Sequence, residues 1–172
     1  PYPPMLLPVD SQESFVPMGT MGYKIAIGAG SSTHNLRGTT VQLEDVKSYR
    51  KAWKDAGHEG EPTTVVRIPT LLADTKEEAE RLSDELMVLA RRYFNGRIGI
   101  GSTDAGSASP DTTAEVNLFG TAEDVVEKIE VLREQYGTDE IMFEANWTSS
   151  VPRDVVTNTI RILTDKVIPK FK

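Results

Sequence analysis

An α/β fold with a parallel sheet covered by helices is what the sequence predicts, and three observations predict it. Short runs of β-branched and apolar residues alternate with longer stretches of helical periodicity along the chain. Each run ends in a polar or glycine-rich turn, and the helical stretches that follow open with capping residues. The chain of 172 residues is long enough for one domain with a substantial core.

The first strand covers residues 5–9 (Met-Leu-Leu-Pro-Val) and stops abruptly at Asp10-Ser11. The turn Asp10–Ser14 then delivers the chain into a short helix that closes near Gly19 or Gly22. Pro17 sets the register. With Ser11 as N-cap it would fall inside the helix, where it removes a ladder bond; with Ser14 as N-cap it lies in the first turn, where its missing N–H costs nothing. A helix N-terminus carries unpaired N–H groups and a partial positive charge, so this turn suits an anion such as a phosphate, with Ser11 and Ser14 adding hydroxyls. An ordinary capping box of Asp10 and Glu13 without a ligand is the alternative.

Residues 23–29 (Tyr-Lys-Ile-Ala-Ile-Gly-Ala) form the second strand, ending in the cluster Gly28, Gly30, Ser31 and Ser32, with His34 in the loop beyond. Such a cluster can approach a ligand closely or be a plain loop. Residues 43–56 make an amphipathic helix with Val46, Tyr49, Trp53 and Ala56 on one face. Gly57 ends it, and His58 is structural because it falls at the opposite end of the unit from the strand termini. Residues 63–73 are the third strand, in which Pro69 predicts a bulge or an early end to pairing. Asp74-Thr75-Lys76-Glu77-Glu78 caps a long helix whose buried stripe is Ala79, Leu82, Leu86, Leu89 and Tyr93. Residues 95–117 are dense in Gly, Ser, Thr and Asp and predict a mobile loop or insertion. Gly120-Thr121-Ala122-Glu123-Asp124 opens a helix with Val125, Ile129, Leu132 and Tyr136 inward. Residues 140–147 (Glu-Ile-Met-Phe-Glu-Ala-Asn-Trp) are the fourth strand. The last helix, from about Arg153, buries Val156, Ile160, Leu163 and Val167 and stops before Pro169.

A parallel βα array places ligand sites at the carboxyl ends of its strands. Here those ends are Asp10–Ser14, Gly28–Ser32, Arg67–Thr70 and Glu144–Ser149. Four such strands make either a small open sheet or half of an eight-stranded barrel. The chain opens Pro-Tyr-Pro-Pro, without an initiator Met, and runs directly into a strand, which favours a piece of something longer.

Composition narrows the chemistry. A net charge of −7 argues against nucleic acid or an anionic membrane as the main partner. No apolar run approaches the length that spans a bilayer, and no signal peptide is visible, so a cytoplasmic protein is expected. With no cysteine there is no disulfide, thiolate nucleophile or zinc–thiolate site, and two histidines leave no histidine-rich metal site.

Four segments, in order, resemble the C-terminal half of the bacterial luciferase-like flavin-dependent monooxygenases. Pro-Pro-Met-Leu-Leu-Pro-Val-Asp-Ser-Gln-Glu-Ser is similar to the family's fifth strand and its serine-rich turn. Leu-Ala-Asp-Thr-Lys-Glu-Glu-Ala is similar to its strand, Asp-Thr and Glu-Glu-Ala helix signature. Phe-Gly-Thr-Ala-Glu-Asp-Val resembles a Gly-Thr-Pro-Glu-Glu-Val helix start. Phe-Glu-Ala-Asn-Trp with the closing Lys-Val-Ile-Pro-Lys-Phe resembles the eighth strand and final helix. The resemblance implies a (β/α)8 TIM barrel of which residues 1–172 supply strands five to eight, with the 95–117 insertion as an active-site loop after the third strand of this chain. It assigns Asp10, Ser11, Glu13 and Ser14 to the FMN phosphate, and Glu144, Asn146 and Trp147 to the substrate pocket. It implies reduced FMN, with a deazaflavin as the alternative, together with O2, a small organic substrate and a flavin reductase. Catalytic residues, the usual histidine near the flavin and a basic phosphate partner belong to the family's other half, and no basic residue stands beside Asp10–Ser14 here. The N-terminal half is therefore expected as a separate or nicked chain, within a dimer of barrels. A non-catalytic flavin-binding subunit and an unrelated phosphate-binding domain are the other readings.

Overall fold

The computed structural model describes residues 3, 5–9, 11–28, 43–98, 117–146 and 151–172. Asp10, the Gly30–Ser32 cluster, His34, Trp147 and residues 99–116 of the expected loop lie outside them. Among the described residues, five parallel strands alternate with helices: β1 Leu6–Val9, α1 Phe15–Met21, β2 Lys24–Gly28, α2 Leu43–Asp55, β3 Thr64–Leu72, α3 Lys76–Ile98, β4 Leu118–Gly120, α4 Ala122–Tyr136, β5 Glu140–Glu144 and α5 Arg153–Ile162.

The strands pair in the order β1-β2-β3, and β5 lies alongside β3 through Val65–Pro69, all in parallel. Strand neighbours therefore follow chain order, without the reversal that marks a doubly wound sheet. Pro69 does not end pairing. It sits opposite Glu144, and β3 runs on through Leu72 to pair with the short β4. β4 is a fifth strand where the sequence suggested loop and helix start; three residues are too few to show a period. The expected loop also begins later, because α3 continues through Ile98.

Alternation along the strands sorts two faces. Val9, Ile25, Ile27, Val66 and Ile68 join Phe15, Val46, Tyr49, Val125, Ile129, Ile162 and Val167 in one core, with Ile141 and Phe143 against it. The sequence-predicted stripes of α3 and α4 hold wherever side chains are described: Ala79, Leu82, Leu86, Val125, Ile129 and Leu132 are buried. Beyond Pro69, Leu71 and Phe119 pack with α3 and the start of α5 in a second cluster. The opposite face of β1, β2 and β5 carries Leu6, Pro8, Lys24, Met142 and Glu144, and no described cluster covers it. Leu6 is 38% exposed and Met142 43%.

Two faces differ from expectation. In α2 it is Ala52 that is buried while Ala56 is exposed, because the helix ends at Asp55. In α5 Ile160 is 49% exposed and Thr159 is fully buried. The Thr159 hydroxyl accepts the Leu72 amide at 3.2 Å, so a polar residue takes the inward position. Helical structure also continues past Ile162 as a π turn, Leu163–Val167, and a 3-10 turn, Ile168–Phe171, that contains Pro169. The wider π turn shifts the phase that carries Leu163 and Val167 inward.

α1 crosses α2 at Gly19 and ends at Gly22, whose φ of 74° is the left-handed cap that glycine adopts without strain. His58 accompanies this cap, its Nε2 2.9 Å from the Thr20 carbonyl and its ring against Trp53, in the structural role expected of it. Tyr49 is fully buried and donates to the Tyr23 carbonyl at 3.0 Å; burial pushes its phenol up to about 12, so it remains a neutral donor.

At the amino ends of the strands, Asp139 Oδ2 accepts the Thr64 amide at 2.8 Å, the Thr64 hydroxyl at 3.0 Å and Arg50 of α2 at 3.1 Å. Arg50 also donates to the Gly137 carbonyl at 2.6 Å. This clamp ties α2 to the starts of β3 and β5, at the end of the sheet that serves stability rather than chemistry. Asp139→Ala is expected to cost about 1–3 kcal/mol, since Thr64 loses the acceptor of its amide inside the fold. Urea melts of the two proteins check this.

Candidate functional site

The carboxyl ends of β1, β2, β3 and β5 line one end of the sheet, and the chain leaves β1 there by the Ser11–Ser14 turn. Ser11 is extended (φ −131°, ψ 146°), and residues Gln12–Ser14 form a 3-10 turn closed by the Ser14 amide on the Ser11 carbonyl at 3.1 Å. Ser14 is then the N-cap of α1, the register that Pro17 predicts, with Ser11–Glu13 as a tight turn before it. Neither serine caps the helix with its hydroxyl. The two hydroxyls instead lie 2.9 Å apart, hydrogen-bonded to each other and partly buried. Glu13 is exposed, and the Gln12 amide reaches Asp45 of α2 at 3.3 Å. The Asp10–Glu13 capping box falls outside the described residues, because Asp10 does. The start of the turn carries two hydroxyls free of the backbone, a chemistry that can donate to an anion.

Across the sheet, register brings Gly28, Arg67 and Met142 into one row, with Pro69 and Glu144 two residues further on. Arg67 and Glu144 share the face turned away from the main core. Arg67 Nε lies 3.5 Å from Glu144 Oε1, with the arginine side chain 39% exposed and the glutamate 23%. Glu144 Oε2 is enclosed and has no hydrogen-bond partner among the described residues. Burial pushes the Glu144 carboxyl above the usual carboxylate range, and Arg67 pulls it back only in part. In the sequence Arg67 stands only at the edge of a strand terminus; its pairing with Glu144 depends on the β3–β5 register, which local sequence does not carry.

Asn146 has a structural task. Its Oδ1 accepts the Val151 amide at 3.1 Å, while the residue itself is exposed. Asp74, of the Leu-Ala-Asp-Thr segment, is likewise structural: it meets Arg161 at 2.6 Å and Lys166 at 3.0 Å, and these, led by the Lys166 hydrogen bond, lower its carboxyl pKa. Thr75, not Asp74, accepts the Glu78 amide at the start of α3. Thr121 and Asp124 form the capping box of α4, and the Thr121 amide holds the Asp124 carboxyl below its ordinary range. Of two clefts, the first borders Phe119 and Gly120 at the carboxyl end of β4. It has a volume of about 630 Å³ and runs between α3 and α4; the second, of about 610 Å³, lies beside β5, between Ile129, Ile141, Phe143, Val167 and Phe171. Among the described residues no cluster of His, Asp and Glu could hold a metal ion, and no helix is long and apolar enough to cross a membrane.

No family model and no curated protein matches the sequence. Solved structures do match. The monooxygenase RslO1 from Streptomyces bottropensis aligns over 99% of this chain and 49% of its own, at 17% identity and a TM-score of 0.67. The oxygenating constituent of 3,6-diketocamphane monooxygenase from Pseudomonas putida, solved with FMN, aligns over 96% and 47%, at 21% identity and 0.64. The coenzyme F420-dependent tetrahydromethanopterin reductase from Methanopyrus kandleri aligns over 98% and 51%, at 17% identity and 0.62. The chain therefore shares with these proteins an α/β fold built on a parallel sheet, and it spans about half the length of each. The resemblance holds at the level of fold.

Proposed function

We propose that the chain is the C-terminal half, strands five to eight, of a luciferase-like (β/α)8 barrel in an FMN-dependent monooxygenase. The observation that carries this reading is the alignment of nearly the whole chain with half of an FMN-bound monooxygenase. Three features of the fold support it. The strands follow chain order, as a barrel requires, and the face that would point inward is left open. Among the described residues, β1 pairs only with β2 and β5 only with β3, so both edges are free to extend the sheet. The cleft beside β5, lined by Ile141, Phe143, Val167 and Phe171 together with Glu130, Arg133 and Lys170, is where the helix of a further βα unit would pack. The partner is accordingly the N-terminal half, as a separate or nicked chain, in a cytoplasmic dimer of such barrels.

The residues present fit a flavin nucleotide in two places: the paired hydroxyls of Ser11 and Ser14 for its phosphate, and the enclosed oxygen of Glu144 near its ring or substrate. When bound, reduced FMN delivered by a reductase supplies the electrons with which O2 oxygenates a small organic substrate. This chain anchors the phosphate, keeps water from the strand ends and lines the substrate pocket with Glu144, Asn146 and Trp147. The match to an F420-dependent reductase favours one second reading, in which a deazaflavin transfers hydride without oxygen.

The test is oxygen uptake by the native assembly that contains this chain, supplied with reduced FMN, alongside spectrophotometric titration with FMN and F420. Flavin binding with flavin-dependent oxygen consumption is expected. Hydride transfer from reduced F420 without oxygen uptake establishes the second reading, flavin binding without turnover establishes a non-catalytic subunit, and absence of binding overturns all three.

A further inference from the structure

We propose that Arg67 and Glu144 together read the imide edge of the flavin ring, the N3–H flanked by two carbonyls; this rests on the flavin reading above. Alternation places both residues on the open sheet face, one from β3 and one from β5. Their mutual contact is loose: a single approach of 3.5 Å through Arg67 Nε, long for a hydrogen bond between charged groups. The other Glu144 oxygen is shut away from solvent and finds no donor among the described residues, an arrangement that native folds rarely leave uncompensated. Beside it stands a guanidinium whose side chain is 39% exposed.

An orphan acceptor next to an available donor is the complement of a ligand edge that offers N–H beside C=O. A lone phosphate would satisfy Arg67 and repel Glu144, and a simple ketone would leave the Glu144 oxygen orphaned. The imide edge serves both. Placement agrees with an anchored nucleotide: β3 and β5 lie two and three strands from β1, about 10 and 14 Å along the sheet at ~4.8 Å per strand. That is a span for the ribityl chain and ring to bridge from the Ser11–Ser14 turn.

Affinities of the native assembly for FMN and N3-methyl-FMN, read by flavin fluorescence, test the assignment without any substitution. The methyl group removes the donor, so at least a tenfold weaker binding is expected. Glu144→Ala is expected to bring the two ligands within about twofold of each other; Glu144→Met, which keeps the volume, serves if the alanine variant does not fold. Equal binding of the two flavins by the wild-type protein overturns the proposal while leaving FMN binding standing. Discrimination that survives loss of the Glu144 carboxylate overturns it as well. Failure to bind FMN at all removes the flavin reading and this inference together.

Discussion

Gly19→Ala is expected to destabilise the fold by about 2–3 kcal/mol, near the upper part of the range for overpacking a close contact. A Cβ at position 19 would collide with the Tyr49 carbonyl oxygen and come within 3.0 Å of both Ala52 Cβ and the Trp53 amide nitrogen. Two of these three neighbours are backbone atoms of α2, so no rotamer change relieves the clash; α1 and α2 must move apart. Tyr49 and Phe15 are fully buried at this contact, and separation would open the core around them. At this chain length the loss corresponds to a Tm roughly 5–10 °C lower. Trimming the one side-chain obstacle, in the double variant Gly19→Ala/Ala52→Gly, is expected not to restore the wild-type value. Thermal melts by circular dichroism decide it, and a single variant melting within a degree of wild type would mean that the two helices are not in the contact described.

The fold was legible in the sequence wherever local chemistry decides structure. Ser14 and Pro17 fix the start of α1, Thr121 with Asp124 caps α4, and the apolar stripes of α3 and α4 carry the helical period through Ala79–Leu86 and Val125–Leu132. What stayed hidden depends on distant partners. β4 is held by pairing with Thr70–Leu72 rather than by any pattern of its own. The inward face of α5 turns on Thr159, a polar residue made tolerable in the core by the Leu72 amide, and on a π turn that no propensity announces. The candidate site divides in the same way. Ser11 and Ser14 stand out because they interrupt an apolar run, and Glu144 because it closes a strand. Arg67 becomes part of a site only when β3 and β5 lie in register. Asn146, placed in the pocket by resemblance, is engaged with the Val151 amide.

Ser14→Asp is expected to separate the two readings of the first turn, because its effects on stability and on ligand binding have opposite signs. Aspartate is at least as good an N-cap as serine, and a carboxylate at a helix start is favoured by the dipole. If Ser11–Ser14 is merely the start of a helix, the substitution leaves stability unchanged or improves it slightly, and nothing else follows. If the turn holds the phosphate of FMN, the new carboxylate replaces a donor with a negative charge beside a dianion. At a separation of about 4 Å and an effective dielectric constant near 20, each pair of unit charges repels by about 4 kcal/mol. Even after substantial screening, FMN affinity is expected to fall at least a hundredfold, about 2.7 kcal/mol. Riboflavin, which has the same ring and no phosphate, is expected to bind the variant and the wild-type protein within a factor of about two. Parallel fluorescence titrations of the native assembly with the two flavins, together with its melting temperature, give all three quantities. Unchanged FMN binding would return Ser11 and Ser14 to a purely structural role; equal losses for FMN and riboflavin would show that the substitution disturbs the pocket rather than the phosphate.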